Sequence, residues 1–210
     1  MNSNDIRSQI GEALEHEERT KTVANLLKQH LGNIGVSMTP AQQGDTLNFV
    51  KAYISETPNI MDAAFHAANQ AGKMNELRPI FDTSFNYWAE KQDYIPDTLG
   101  LIGLADDAYL TRMFMEAVSS LHAAQTGQPL LSIDLGPANR IMRGIIGEPI
   151  ATSLDAAVGQ TIAGQMIQSG LQQLGGFGGL NLNMPGYGNY MSQYEIDHQV
   201  DVQLGAMGVI

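Results

Sequence analysis

Residues 94–110 read YIPDTLGLIGLADDAYL, and they stand between two segments whose apolar residues recur at helical spacing. The flanks fix the class of fold and the insert fixes its sharpest bend. Before it, residues 75–92 carry Leu77, Ile80, Phe81, Phe85 and Trp88, which fit a 3.6-residue period and not alternation. After it, residues 104–125 place Leu110, Met113, Phe114, Ala117, Val118 and Leu121 in one stripe. In the insert, Pro96 pushes the residue before it toward extended geometry, so the first helix must stop. Asp97 has the side chain of an N-cap for a following turn over residues 98–102. Gly103 is the expected site of a backbone bend that a Cβ would penalise. Asp106 and Asp107 then fall in the first turn of the next helix, where the helix dipole favours negative charge.

The rest of the chain repeats the helical period. Residues 5–34 read as helix, with Ile6, Ile10 and Leu14 followed by Val23, Leu27 and Leu31, and with a break expected near 18–20. Thr39-Pro40 opens a helix to about residue 56, where Thr57-Pro58 is expected to end it. A short alanine-rich helix is expected over 59–71. Residues 128–136 read as a loop, and helices over 138–146 and 153–174 complete the pattern. No run of alternating apolar residues precedes the tail. The expectation is an all-α, compact helical bundle of about six to eight helices occupying residues 1–174. A Gly/Asn/Tyr-rich appendage would follow over 175–210. Such a low-complexity stretch buries too little apolar surface alone to offset its ordering entropy.

The corner resembles the YkvA-like family, a bacterial helical domain of uncharacterised function. Asp93, Ile95, Pro96, Asp97, Leu99, Leu101, Gly103, Asp106 and Asp107 carry the resemblance. It centres on residues 88–115 and implies a helical hairpin over about 64–117. It brings no established chemistry, so no catalytic residue is assigned.

Charge narrows the function classes. The chain holds 22 acidic and 11 basic residues, a net charge of −11, which repels phosphate backbones and anionic membranes. Nucleic-acid binding is therefore not expected. Without cysteine, disulfides and thiolate metal sites are excluded. Residues 1–18 are polar and acidic with no apolar core of a leader, and no stretch is apolar enough for a membrane span. A cytoplasmic location is expected, and membrane association is not.

Candidate chemistry is sparse. Asp93, Asp97, Asp106 and Asp107 supply hard oxygen ligands suited to Mg²⁺ or Ca²⁺, although capping alone accounts for two of them. The five histidines, among them His66 and His122, form no i, i+4 pair or HExxH motif. Glycines 175–179 lack the lysine of a phosphate loop. Glu12, Glu15, Glu17 and Glu18 read as a solvated helix face. Trp88, Phe85, Phe81 and Phe114 read as core, with Met113 and Met115 packed beside them. No side chain is charged from residue 156 to 194, where a surface helix would carry charges on its wet face. Gly159, Ala163 and Gly164 would admit a second helix closely.

Two functions follow as expectations. The first is a non-enzymatic helical interaction or scaffold protein without cofactor, contacting a protein partner or forming a homo-oligomer through its uncharged C-terminal region. The second is a divalent-cation-dependent, hydrolase-like enzyme using the aspartates at the Pro96 corner. Interfacial membrane binding through 153–174 ranks last, because that helix has no lysine or arginine for lipid headgroups.

Overall fold

The computed structural model describes residues 1–33, 38–90, 95 and 97–168. Seven α-helices and one 3₁₀ segment make up the described residues, which include no strand. The helices are α1 (Ser3–Thr20), α2 (Thr22–Asn33), α3 (Pro40–Gln70), α4 (Met74–Ala89), α5 (Ala105–Thr126), α6 (Gly136–Ile146) and α7 (Ile150–Gln168); the 3₁₀ turns cover Asp97–Leu104. The chain is an all-α helical bundle with α5 at its centre: every residue from Ala105 to Leu121 except Glu116 is buried. Helices α3, α4, α6 and α7 all pack against it, while α1 lies on α3 and the 3₁₀ turns.

Local chemistry sets most boundaries. Asn2 caps α1, accepting the N–H groups of Asn4 and Asp5 at 2.9 and 3.3 Å, while Asp5 accepts the Asn2 N–H in return. Thr39 and Gln42 form the same reciprocal box at the start of α3. The expected break after α1 falls at Lys21, which takes a left-handed conformation with φ 53°. Here the reading of Glu17 as part of a solvated face is corrected: Glu17 is buried. Its carboxylate accepts the Val23 and Ala24 N–H groups at 2.8 and 3.5 Å. The first amides of α2 have no intrahelical acceptor, so Glu17 supplies one from the preceding helix.

A second correction concerns Pro58. The chain does not stop there, and α3 runs through it from Pro40 to Gln70. An internal proline costs about 3 kcal/mol through its missing N–H and its ring. Against this, Phe49, Val50, Tyr53 and Ile54 before it, and Ile60, Met61, Ala64 and Ala68 after it, are all buried in the core. Each large apolar side chain among them contributes about 1.5–3 kcal/mol on burial. One continuous helix places all eight in the core, and packing outweighs the local penalty. Pro79 is tolerated in α4 in the same way, between the half-buried Leu77 and the buried Ile80 and Phe81. Trp88, Phe81 and Phe114 are core, as are Met113 and Met115; Phe85 is half-buried against them.

Helix α7 buries Ala151, Leu154, Val158 and Ile162. The side chain of Met166, one turn beyond Ile162, and the expected tail over 175–210 lie outside what is described.

Candidate functional site

In the corner before α5 the 3₁₀ turns cover Asp97–Leu104, while Pro96 and the side chain of Asp97, the expected stop and cap, lie outside the described residues. The left-handed glycine is Gly100, at φ 70°, and not Gly103. A methyl group on Gly100 would meet His16 Cδ2 of α1 at 3.0 Å. Glycine is therefore required there twice, by conformation and by the approach of α1. Leu101 and Leu104 anchor the 3₁₀ turns in the core.

Of the four candidate cation ligands, the structure describes two side chains. Asp106 and Asp107 stand in the first turn of α5 and are 0% and 1% exposed. Asp106 Oδ2 accepts the Ile95 N–H at 3.1 Å, so this carboxylate ties the chain entering the corner to the helix leaving it. Asp93 and the side chain of Asp97 lie outside the described residues. Among the described residues, no group of three or more His, Asp or Glu side chains is placed to hold a metal ion.

A second polar assembly lies further along α5, and the sequence reading does not find it. Arg112 is buried; its Nε donates to Thr57 Oγ1 at 3.2 Å and its guanidinium lies 4.0 Å from the ring centre of Tyr53. The Tyr53 hydroxyl donates to Asn139 Oδ1 at 2.7 Å, and Asn139 Nδ2 donates to Glu116 Oε2 at 2.6 Å. One polar chain thus runs from α3 through α6 to α5. It ends beside Asp134, whose Oδ1 accepts the Gly136 N–H at 3.0 Å and stabilises the start of α6. Burial, reinforced by the charge of Asp134, raises the pKa of Glu116 above the usual carboxylate range, although Asn139 and Arg140 oppose the shift. Burial likewise raises that of Asp134 against the Gly136 amide and Arg140.

A third link closes the bundle on the α7 side. Asp155 accepts the Tyr109 hydroxyl at 2.7 Å and Arg143 Nε at 2.9 Å. Burial, then the Asp155 carboxylate, raises the Tyr109 pKa well above that of free tyrosine, so the hydroxyl stays a donor. Between α4, α5 and α7 lies a slot of about 30 Å³ with Ile80, Val118, Leu121 and Ile162 in its lining, together with Lys73 and His122.

Chemically, the Tyr53–Asn139–Glu116 chain can hold and orient a proton, while the corner supplies paired carboxylates at a helix start. The signal for the second assembly was present but faint. Arg112 and Glu116 are the only charges in the otherwise uncharged residues 108–121, and their four-residue spacing puts them on one side of a helix. Nothing in the sequence indicated that Tyr53 and Asn139 would meet them. Comparison of the chain with protein-family models, curated proteins and solved structures finds no match.

Proposed function

We propose that this chain is a non-catalytic helical interaction protein that binds a protein partner or a second copy of itself through α7 and the residues beyond it. The outer face of α7 carries this reading. Its inner face is fully engaged by the core, and Thr152, Ala156, Gln160 and Ala163 project outward with no charge among them; Gly159 and Gly164 are half-exposed. An outer helix face without charge suits close approach by a second surface better than it suits bulk water. No described helix is long and apolar enough to cross a membrane. A cytoplasmic location is part of this reading, as is a relation to the YkvA-like family through the α4–α5 corner.

The test is light scattering and sedimentation of the full chain beside Ala156→Glu and Ala163→Glu. These changes add charge on the exposed face and should leave the melting temperature within a degree or two, since exposed substitutions usually change stability by under about 0.5 kcal/mol. The expected result is an assembly larger than a monomer that both variants dissociate, or a partner protein that both variants lose. A chain that stays monomeric and retains every partner in both variants would refute the reading.

A second reading, a divalent-cation-dependent enzyme at the corner, is favoured by the burial of Asp106 and Asp107 side by side. Titration calorimetry with Mg²⁺, Mn²⁺ and Ca²⁺ tests it. A bound ion must raise the melting temperature, because it binds only the native state, and Asp107→Asn must abolish that rise. No heat and no rise removes the reading.

A further inference from the structure

Gly136 opens α6 at a point where three charged groups converge. A methyl group placed on it would sit 3.2 Å from Asp134 Oδ1, 3.3 Å from Glu116 Oε1 and 3.6 Å from Arg140 Nη1. Two carboxylate oxygens from different parts of the chain therefore border one small space that the glycine leaves open. Their other contacts decide how that space is used. Glu116 Oε2 is engaged by the Asn139 amide and Asp134 Oδ1 by the Gly136 N–H. A proton carried by Glu116 belongs on Oε1, the oxygen that borders Gly136 as Asp134 Oδ1 does.

We propose that Glu116 and Asp134 form a proton-sharing latch over Gly136, which holds the seam between α5 and α6 closed when it carries one proton and loosens it when it carries none. The physical reason is like-charge repulsion in a partly desolvated place: two carboxylates cannot both ionise there without cost. The Asp134 charge adds to burial in raising the pKa of Glu116, while burial raises that of Asp134. The other groups facing the pair are Arg140 and Asn139 on α6, Tyr53 on α3 reached through Asn139, and Arg112 one turn earlier on α5. Arg140 is solvent-exposed, so water and salt weaken its compensation. Arg112 is directed to Thr57 and the Tyr53 ring.

The segment controlled is short and well marked. The Leu131 N–H donates to Ser119 Oγ at 3.0 Å, and the Asn139 N–H donates to the Leu135 carbonyl at 3.0 Å. These two bonds fasten the α5–α6 connection and the first turn of α6. Opening the seam releases both acids to ordinary values, so closing takes up a proton. The closed form is favoured as pH falls toward the ordinary carboxylate range and lost as pH rises through the raised one.

Amide hydrogen exchange of the full chain between pH 5 and 8, corrected for the intrinsic pH dependence of exchange, tests the latch. Protection at Leu131 and Asn139 should fall with rising pH, by up to about tenfold per pH unit where one proton is lost on opening. Protection at Val23, held by Glu17, should not follow. Glu116→Gln and Asp134→Asn should each flatten the dependence. Carboxyl ¹³C titration of the unmodified protein gives a readout that needs no variant: the two acids should titrate as a coupled pair above the usual carboxylate range. Flat protection in the unmodified protein, a slope that survives in both variants, or two independent titrations at ordinary values would each overturn the proposal.

Discussion

At its start α5 holds Asp106 and Asp107, two neighbours in sequence, buried against the corner that precedes them; at mid-helix it holds Glu116, half-buried beside Asp134, Asn139 and Arg140. The two sites share a helix and a charge type but differ in what stabilises the charge. At the corner, Asp106 stands in the first turn of α5 and accepts the Ile95 N–H. At the seam, burial and a second carboxylate disfavour the ionised form of Glu116. The first carboxylate therefore fastens a backbone amide at the start of the helix, while the second, at mid-helix, resists ionisation. Counting acids along a sequence cannot separate these cases; the positions of the surrounding N–H groups and opposing charges can.

The largest expected effect falls between the two sites. Arg112→Ala removes a buried cation from Thr57 and from the Tyr53 ring. It should cost about 3–5 kcal/mol in denaturant unfolding, the range for breaking a buried charged contact. Arg112→Met keeps the apolar stem and should recover part of that. If Arg112→Ala costs under about 1 kcal/mol, the value of a surface contact, the comparison loses its common centre. Next is Asp106→Ala, which removes the acceptor of the Ile95 N–H and a favourable charge at the start of α5. The expected loss is about 2 kcal/mol, read at neutral pH. A neutral result would make the corner electrostatically equivalent to the seam. Gly100→Ala follows, at about 1–2 kcal/mol for a Cβ in left-handed geometry, with some addition from crowding His16. Thermal unfolding of this variant beside Gly103→Ala identifies which glycine makes the bend.

These variants also mark what the sequence alone discloses. The helices, their order and the aromatic core were legible, because apolar residues at i, i+3 and i+4 leave few alternatives. At the corner the adjacent aspartates were legible as the first turn of α5, but the glycine of the bend was not: it is Gly100 and not Gly103, because the approach of His16 from α1 is not written in the local sequence. Pro58 misled, since a local stop signal lost to burial on both sides of it, and burial depends on partners distant in the chain. Glu17 misled for a similar reason: four glutamates look alike until the next helix turns its amides toward one of them. The Tyr53–Asn139–Glu116 chain was not legible at all, because its members are brought together by helix packing and no local rule links them.

The smallest expected effects test the contrast through the sign of their pH dependence. Burial pushes the pKa of Asp62 up, but the Ser3 hydroxyl and the Arg7 guanidinium outweigh it and hold it below the usual range. A carboxylate lowered on folding stabilises the native state above its unfolded pKa, and that stabilisation disappears as pH falls through the folded value. Glu116, raised on folding, does the reverse: relative to the unfolded chain it favours folding at acidic pH and disfavours it once both states are ionised. Glu116→Gln should therefore leave stability unchanged or raise it by up to about 1 kcal/mol at pH 8, with the difference shrinking toward pH 4. Asp62→Asn should lower stability at pH 8 by about 0.2–1 kcal/mol, since the Asp62 side chain is 41% exposed and salt screens its contact with Arg7. That loss too should fade toward low pH, as the native carboxylate it replaces becomes protonated. Paired urea titrations at pH 4, 6 and 8 resolve the two signs. Should Glu116→Gln destabilise at pH 8 as Asp62→Asn does, the seam carboxylate is an ordinary stabilising charge, and the contrast along α5 disappears.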